Sequence, residues 1–317
     1  MIIVTGGAGF IGSNLVKTLN ERGHTDLVVV DDMLDGRKFR NLVDCELLDL
    51  VDKDTFLERI ESGSGLSERP DVIFHLGACS DTMEWDGRFM LRTNYAYSKA
   101  LLAYCNEHEV PLIYASSAAV YGMGPVFREE PPYEKPLNMY AYSKLLFDQH
   151  VRRAEPRAQV VGLRYFNVYG PRETHKGEMA SVAYKLHTQL LESDRVKLFQ
   201  GSDGYTDGEH RRDFIWVGDA VRVTLWFWEH PEQSGIFNVG TAQAQTFNDI
   251  ARAVIAYHGR GEIEYIDFPD PLKGRYQSFT QADSSALRQA GYDAPFMTVE
   301  EAVPLYLKWL EGTTGLS

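Results

Sequence analysis

Cysteine is scarce in this sequence, and long apolar runs are absent. The 317 residues include only Cys45, Cys79 and Cys105, an odd number without C-x-x-C spacing. This pattern argues against a disulfide framework or a zinc site and is typical of a reducing compartment. No apolar run approaches the ~20 residues that a membrane span needs, and residues 1–4 lack the basic leader of a secretion signal. We therefore expect a cytoplasmic protein without a metal site or a membrane contact.

Positive charge is also in short supply. The 32 lysine and arginine residues are outnumbered by 45 aspartate and glutamate residues, which gives a net charge of −13. Nucleic acids and anionic membranes bind basic surfaces, so neither is expected as a partner. A small anionic substrate remains compatible with this charge, because a few local cations are enough to hold it.

The first half of the chain alternates short apolar runs with amphipathic helical patterns. Strands are predicted at Ile2–Thr5, Leu27–Asp31, Cys45–Leu48, Asp71–His75, Leu112–Ala115 and Val160–Tyr165. Their Val, Ile and Leu residues show little polar alternation, which is typical of a parallel sheet covered on both faces. The alternation predicts an α/β fold with a Rossmann-type doubly wound parallel sheet.

The chain is also longer than one common domain, and its rhythm changes after about Gly170. We expect a smaller, interleaved α/β substrate-binding domain. Residues 1–168 and 214–240 are predicted to form the dinucleotide-binding domain, and residues 169–213 and 241–317 the substrate-binding domain.

A glycine-rich turn follows the first predicted strand. Gly6, Gly9 and Gly12 are spaced as G-x-x-G-x-x-G and open an amphipathic helix. Glycine permits positive φ and a close approach of the backbone, while a helix N-terminus offers N–H groups to a pyrophosphate. In this strand–turn–helix context the motif predicts a dinucleotide site.

The residues after the second strand leave the choice of dinucleotide open. Asp31 lies 19 residues after Gly12, where an acidic side chain commonly binds the adenosine ribose of NAD. Arg37, Lys38 and Arg40 follow closely and could instead hold the 2′-phosphate of NADP.

Tyr140 and Lys144 form the most informative pair in the chain. At i, i+4 spacing on a helix their side chains share one face. A free tyrosine has a pKa of ~10, and we expect the Lys144 ammonium together with a positive nicotinamide ring to lower it. Ser117, at the end of the fifth strand, is expected to hydrogen-bond the reacting oxygen. The nearby Tyr142 has no lysine four residues later and is interpreted as a packing residue.

These motifs resemble those of the extended short-chain dehydrogenase/reductase superfamily. Within it the chain resembles the ADP-L-glycero-D-manno-heptose 6-epimerase family over nearly its whole length. The most specific matches are His75–Ser80, Glu84–Gly87, Phe166–Arg172, His175–Gly177 and Leu272–Tyr276. The resemblance implies an isomerase with tightly held NADP, which oxidises carbon 6 of an ADP-heptose to a ketone and reduces it from the opposite face. It also implies a homopentamer that acts in the synthesis of lipopolysaccharide heptose.

The resemblance further assigns roles to individual residues. Lys176 becomes a second acid/base beside Tyr140, and Lys38 the partner of the 2′-phosphate, which favours NADP over NAD. Cofactor contacts beyond the three glycines are implied for Phe10, Ile11, Asp31, Asp32, Lys38, Lys53, Leu76, Gly77, Ala78, Cys79, Ser80, Thr93, Lys144, Val168 and Lys176. Substrate contacts are implied for Ser117, Asn167, Glu178, Lys185, Phe199, Gln200, Gly201, Ser202, Arg212 and Tyr276.

Several positions depart from the family pattern. Lys185 stands where histidine is usual, Thr93 where asparagine is usual and Glu178 where a small hydroxyl residue is usual, and the loop Asp203–His210 is longer. Other enzymes of this fold remain alternatives, chiefly a UDP-hexose 4-epimerase or a reductase that releases its nicotinamide. A dehydratase is disfavoured, because Ala118 and Ala119 occupy the places of its usual acidic residues. A dinucleotide sensor without catalytic activity is a more remote alternative.

Overall fold

The computed structural model describes residues 1–62, 66, 68–269 and 277–313. The strands are β1 (Ile2–Thr5), β2 (Leu27–Asp31), β3 (Asp49–Asp52), β4 (Val72–His75), β5 (Leu112–Ser117), β6 (Val160–Tyr165), β7 (Asn167–Tyr169), β8 (Arg195–Phe199), β9 (Arg211–Trp216), β10 (Gly235–Val239), β11 (Ala244–Thr246) and β12 (Glu262–Ile266). The α-helices are α1 (Phe10–Glu21), α2 (Lys53–Glu61), α3 (Gly87–Met90), α4 (Tyr97–His108), α5 (Met139–Arg153), α6 (Val182–Glu192), α7 (Val217–Glu229), α8 (Phe247–His258), α9 (Ser285–Gln289) and α10 (Val299–Thr313).

Seven strands form one sheet in the order β3-β2-β1-β4-β5-β6-β10. The pairings among β1 to β6 are parallel. Strands β1, β2 and β4 are buried along their whole length, as expected of strands covered on both faces. The predicted Rossmann-type α/β sheet is therefore confirmed. Strand order reverses between β1 and β4, and ligands of such sheets bind beyond the carboxyl ends of the strands at this reversal.

One predicted strand is wrong. The apolar pattern favoured Cys45–Leu48, but the strand runs over Asp49–Asp52, with Asp49 opposite Val28 of β2. β3 is the edge strand of the sheet, and three of its four residues are exposed. An edge strand tolerates charged residues and lacks the continuous apolar run on which the prediction relied.

The chain forms two compact units. The first contains residues 1–120, 136–165 and 221–237, and the second contains residues 121–135, 166–220 and 238–317. Residues 121–135, 166–168, 214–220 and 238–240 were predicted in the dinucleotide-binding domain but fall in the second unit. The reason for the first of these differences is that Tyr121 donates a hydrogen bond to Asn238 and the ring of Phe127 contacts that of Phe166. The domain boundaries of the protein stay a prediction.

The second unit has two small sheets, β11-β9-β7 and β12-β8. Its core contains buried residues of α6, α8 and α10, among them Leu186, Val254 and Tyr306. Helix α8 begins with a reciprocal capping box between Thr246 and Asp249, which satisfies two N–H groups at the helix start. Among the helices of the described ranges, none is long and apolar enough to cross a membrane.

Candidate active site

The glycine-rich turn packs directly against the segment that follows β4. Gly6 has a φ of +67°, and a Cβ added to it would lie 2.6 Å from the backbone N and Cα of Gly77. A Cβ on Gly12 would lie 2.1 Å from the carbonyl oxygen of Gly6. Both positions therefore require glycine for close backbone packing, which explains the spacing seen in the sequence.

The start of α1 fits a pyrophosphate. Gly9 is the N-cap residue, so the cap position supplies no side chain to cover the N–H groups of the first turn. The first turn contains no acidic residue, and the helix dipole favours an anion there. Phe10 and Ile11, two predicted cofactor residues, are the first two residues of this helix.

Asp31 and Lys38 meet at the end of β2. The Lys38 ammonium lies 2.7 Å from Oδ1 of Asp31 and 2.8 Å from Oδ1 of Asp32. Burial alone would lower the pKa of Lys38, but its hydrogen bonds to the two carboxylates raise it above the ordinary value. Asp31 also accepts hydrogen bonds from the backbone N–H groups of Ala8 and Asp32, at 3.0 and 2.9 Å. Both of its oxygens are therefore engaged by the chain itself.

The predicted cofactor segment Leu76 to Ser80 follows β4 and is held by hydrogen bonds. The N–H of Gly77 donates to the Thr5 hydroxyl at 3.2 Å. The Asn94 side chain accepts from the N–H of Cys79 and donates to its carbonyl, both at 2.9 Å. Asn94 was not predicted. It lies beside Thr93 in a π-helical turn, residues 91–96, and such turns are frequent at functional sites.

Lys53, another predicted cofactor residue of the first unit, begins α2 and forms an ion pair with the exposed Asp54. Its charge also contributes to lowering the pKa of Asp32. Lys53 and Lys38 therefore place positive charge near the carboxylate that follows β2.

Tyr140, Lys144 and Ser117 are brought together as the sequence predicted. Tyr140 lies in the first turn of α5, which is capped by the Asn138 side chain accepting from the N–H of Ala141 at 2.8 Å. The Tyr140 phenol is hydrogen-bonded to the Ser117 hydroxyl at the end of β5. Lys144, one turn further along, is buried and donates to the carbonyl of Ala115 at 2.8 Å.

The electrostatics of this trio differ from the expectation. Burial raises the pKa of Tyr140, against a lowering effect of the hydrogen bond from Ser117. Burial also lowers the pKa of Lys144 to about 8, against the opposing charge of Asp148. We expected Lys144 to help lower the pKa of Tyr140, but the groups of the chain itself raise that pKa. Desolvation outweighs the hydrogen bond from Ser117, and the Lys144 ammonium donates to the carbonyl of Ala115.

A buried ion pair lies one turn beyond Lys144. Asp148 accepts from Nε and Nη2 of Arg164 at 2.9 and 2.8 Å, and neither side chain is exposed. The hydroxyls of Tyr114 and Ser116 donate to the same carboxylate at 2.9 and 2.8 Å. These bonds join α5 to β5 and β6 and thereby fix the helix that carries Tyr140. The i, i+4 spacing of Lys144 and Asp148 was a signal that could have identified the acid.

In the second unit the predicted substrate residues, and the predicted cofactor residues Val168 and Lys176, lie on several elements. Asn167 and Val168 are on β7, Lys176 and Glu178 in the loop before α6, Lys185 on α6, Phe199 at the end of β8, Gln200, Gly201 and Ser202 in the following loop, and Arg212 on β9. Tyr276 lies outside the described residues. Glu178 and Lys185, two departures from the family pattern, form an ion pair at 3.3 Å. The pair is exposed, so the lysine that replaces histidine stabilises the Glu178 carboxylate only weakly.

The longer loop Asp203–His210 folds back on the segment that precedes it. The Gly201 N–H donates to the Asp207 carboxylate and the Ser202 hydroxyl is hydrogen-bonded to His210, both at 2.9 Å. The Arg212 side chain is buried and lies over the ring of Phe247, with its central carbon 5.6 Å from the ring centroid. The loop therefore holds two of the predicted substrate residues, Gly201 and Ser202, through Asp207 and His210.

Comparison with known proteins agrees with this geometry. Residues 2–240 match the NAD dependent epimerase/dehydratase family. An ADP-L-glycero-D-manno-heptose-6-epimerase of Alkalilimnicola ehrlichii is 60% identical over 309 residues, which cover 97% of this chain and 96% of that protein. The crystal structure of the Helicobacter pylori ADP-L-glycero-D-manno-heptose-6-epimerase has a TM-score of 0.84 at 31% identity and covers 98% of this chain and 96% of its own. A Thermus thermophilus UDP-glucose 4-epimerase solved with NAD has a TM-score of 0.79 at 26% identity, with 99% of each chain covered.

The protein combines a Rossmann-type sheet with a glycine turn at the start of a helix. Its tyrosine is hydrogen-bonded to a serine and lies one helical turn from a lysine. Together these features define a nicotinamide-dependent enzyme of the short-chain dehydrogenase/reductase type. The chain belongs to the NAD-dependent epimerase/dehydratase family. The predicted enzyme class, an isomerase, is confirmed by its epimerase relatives.

Proposed function

We propose that the protein inverts carbon 6 of the heptose in ADP-D-glycero-D-manno-heptose and forms ADP-L-glycero-D-manno-heptose. The observation that carries this proposal is the hydrogen bond between Tyr140 and Ser117, with Lys144 buried one turn away. The 60% identity to an enzyme of that name supports the choice of substrate.

Tyr140 acts as an acid/base on the reacting hydroxyl of the sugar, and Ser117 hydrogen-bonds the same oxygen. A bound nicotinamide dinucleotide supplies the hydride acceptor for oxidation and the hydride donor for reduction. Lys144, with its pKa lowered to about 8, is still about 90% ammonium at pH 7. We assign the lowering of the Tyr140 pKa, which burial alone raises, to Lys144 together with the positive nicotinamide ring of a bound dinucleotide. Inversion returns hydride to the opposite face of a planar ketone, so a second acid/base is needed, and we assign that role to Lys176. Burial lowers the pKa of Lys176, against the opposing charge of Glu173, which makes it a better proton donor than an ordinary lysine.

The test replaces each acid/base group and measures epimerisation of the ADP-heptose. We expect Tyr140→Phe and Lys176→Met each to lower kcat by about 10²- to 10⁴-fold, the usual contribution of a positioned acid or base. Tyr142→Phe on the same helix and Lys197→Met at an exposed position of β8 are the matched controls and should be active. Normal turnover by Lys176→Met would refute the assignment of two acid/base groups.

A UDP-hexose 4-epimerase is the second candidate, because solved 4-epimerases share the fold. That of Thermotoga maritima has a TM-score of 0.80 at 28% identity. A 4-epimerase needs Ser117 and Tyr140 but gives no role to Lys176. Turnover of UDP-glucose at a rate equal to that of the ADP-heptose would favour this candidate.

We infer that the dinucleotide is NADP, with Lys38 at the 2′-phosphate. Both oxygens of Asp31 already accept hydrogen bonds from the chain, which reduces their availability to a ribose hydroxyl. Lys38 retains an exposed surface of 18% between the two carboxylates. Lys38→Ala should weaken binding of NADP more than binding of NAD in fluorescence titrations of cofactor-free protein. Equal weakening of both would contradict the choice.

We further infer a cytoplasmic homo-oligomer, a pentamer by family resemblance, that supplies heptose for lipopolysaccharide. Light scattering after gel filtration measures the number of copies, and a monomer would refute the assembly.

A further inference from the structure

A single buried carboxylate closes the loop that carries Lys176. Residues 170–181 connect β7 to α6, and Glu173 lies inside this loop with no exposed surface. Its Oε2 accepts from the N–H of Ser181 at 2.8 Å, and its Oε1 accepts from the Ser181 hydroxyl at 2.6 Å and from the N–H of Gly170 at 3.4 Å. The first and last residues of the loop are therefore held by one side chain.

Lys176 lies on the turn that this side chain supports. Its backbone N–H donates to the carbonyl of Glu173 at 2.9 Å, and Gly177 follows with a φ of +53°. Arg172, just before Glu173, has a φ of +70°, a conformation that an L side chain rarely adopts. Strained backbone of this kind persists only where the surroundings hold it, as the Glu173 hydrogen bonds do here.

The charge of Glu173, and not only its shape, acts on Lys176. Burial lowers the pKa of Lys176, and the negative charge of Glu173 opposes that shift. The buried Tyr306 of α10 faces the same carboxylate. Burial and then the charge of Glu173 raise the pKa of the Tyr306 phenol, and Tyr184 of α6 raises it by a smaller amount. Burying an ionised carboxylate is costly. A glutamine would fill the same space without that cost, but its amide nitrogen could not accept the hydrogen bonds that both carboxylate oxygens accept. The carboxylate therefore serves the loop as an acceptor on both sides and Lys176 as a negative charge.

We propose that Glu173 is the positioning residue for Lys176: its carboxylate closes the loop 170–181 and supplies the negative charge that holds the Lys176 ammonium ready for proton transfer. This inference rests on the proposed role of Lys176 as the second acid/base of the epimerase.

The test uses the purified enzyme with its retained dinucleotide and follows epimerisation between about pH 6 and 10. Glu173→Gln keeps the size of the side chain, removes its charge and replaces one accepting oxygen by an NH2 group, so that one of the bonds from the Gly170 or Ser181 N–H is lost as well. We expect kcat to fall about 10-fold or more with KM changed less than about 2-fold, and the alkaline limb of the kcat profile to move to lower pH by about one unit. The alkaline limb is assigned to Lys176 if the pH profile of the residual activity of Lys176→Met lacks it. Glu192→Gln, an exposed change of the same kind at the end of α6, is the matched control and should leave rate and profile unchanged.

A second variant separates the charge from the closure of the loop. Ser181→Ala keeps the carboxylate but removes its hydrogen bond from the Ser181 hydroxyl, and with it the cap that this hydroxyl gives to the N–H of Tyr184 at the start of α6, so kcat should fall several-fold without movement of the limb. If Glu173→Gln does not fold, Ser181→Ala alone decides: a wild-type kcat overturns the proposal and a reduced one supports it. A folded Glu173→Gln with the rate and profile of the wild type also overturns it. Full activity of Lys176→Met would instead refute the proposed function itself, so the two failures are distinguishable.

Discussion

Replacing Gly6 by alanine tests whether the glycine turn is packed as closely as the structure indicates. Gly6 has a φ of +67°, a conformation that costs an L side chain about 1–2 kcal/mol. The added Cβ would also lie 2.6 Å from Gly77 and 2.8 Å from the carbonyl carbon of Leu76. These are backbone atoms that cannot rotate away, and such overpacking costs about 1–3 kcal/mol. We expect Gly6→Ala to lower the free energy of unfolding by about 2–5 kcal/mol.

Two other glycines separate the contributions. Gly23 has a φ of +89° with nothing within 4 Å of an added Cβ, whereas Gly36 has neither a positive φ nor a neighbour within 4 Å. Gly23→Ala should therefore cost about 1–2 kcal/mol, and Gly36→Ala should be within about 0.5 kcal/mol of the wild type. Urea unfolding followed by circular dichroism measures all three, and the absorbance of dinucleotide retained through purification reports the site. Equal destabilisation by Gly6→Ala and Gly23→Ala would refute the close packing.

Two further predictions concern buried charge in the first unit. Burial and then the charge of Lys144 lower the pKa of His75 to about 3. Below pH 6.5 the unfolded chain, with a histidine pKa of about 6.5, therefore binds a proton that the folded chain does not. The free energy of unfolding should consequently decrease as the pH falls below about 6.5, by up to about 1.4 kcal/mol per pH unit. Urea unfolding at pH 7 and pH 5.5 measures this loss, and an unchanged slope in His75→Asn would contradict it. Asp148→Asn removes the carboxylate that pairs with the buried Arg164 and should cost about 3–5 kcal/mol, whereas the double variant Asp148→Leu with Arg164→Met should cost less. A double variant less stable than Asp148→Asn would contradict this account of the pair.

Local sequence patterns were sufficient for the sheet and for the centre of the site. Continuous apolar runs predicted buried parallel strands because both faces of such strands are covered, and they failed only at β3, where the edge position allows exposed acids. The spacing of Tyr140 and Lys144 predicted one helix face, and both side chains do reach β5, at Ser117 and Ala115.

The residues that support the site could not be predicted in the same way. Asn94 matters because the fold brings it to Cys79, and Glu173 because the loop returns to it at Ser181. Such partners depend on how segments are arranged in space, and the neighbouring residues in the chain carry no signal of them. The direction of the Tyr140 pKa shift was missed for a related reason, since desolvation depends on the packed surroundings of the phenol.

The central claim is that hydride leaves carbon 6 of the sugar and returns to the same carbon without exchange with solvent. The direct measurement is to incubate ADP-D-glycero-D-manno-heptose, deuterated at carbon 6, with the purified protein and no added cofactor, and to follow the product by NMR. The account predicts the L-glycero epimer with the deuterium still on carbon 6. An epimer in which that deuterium has been replaced by solvent hydrogen would contradict the account, as would the absence of any epimer from folded protein that carries its dinucleotide.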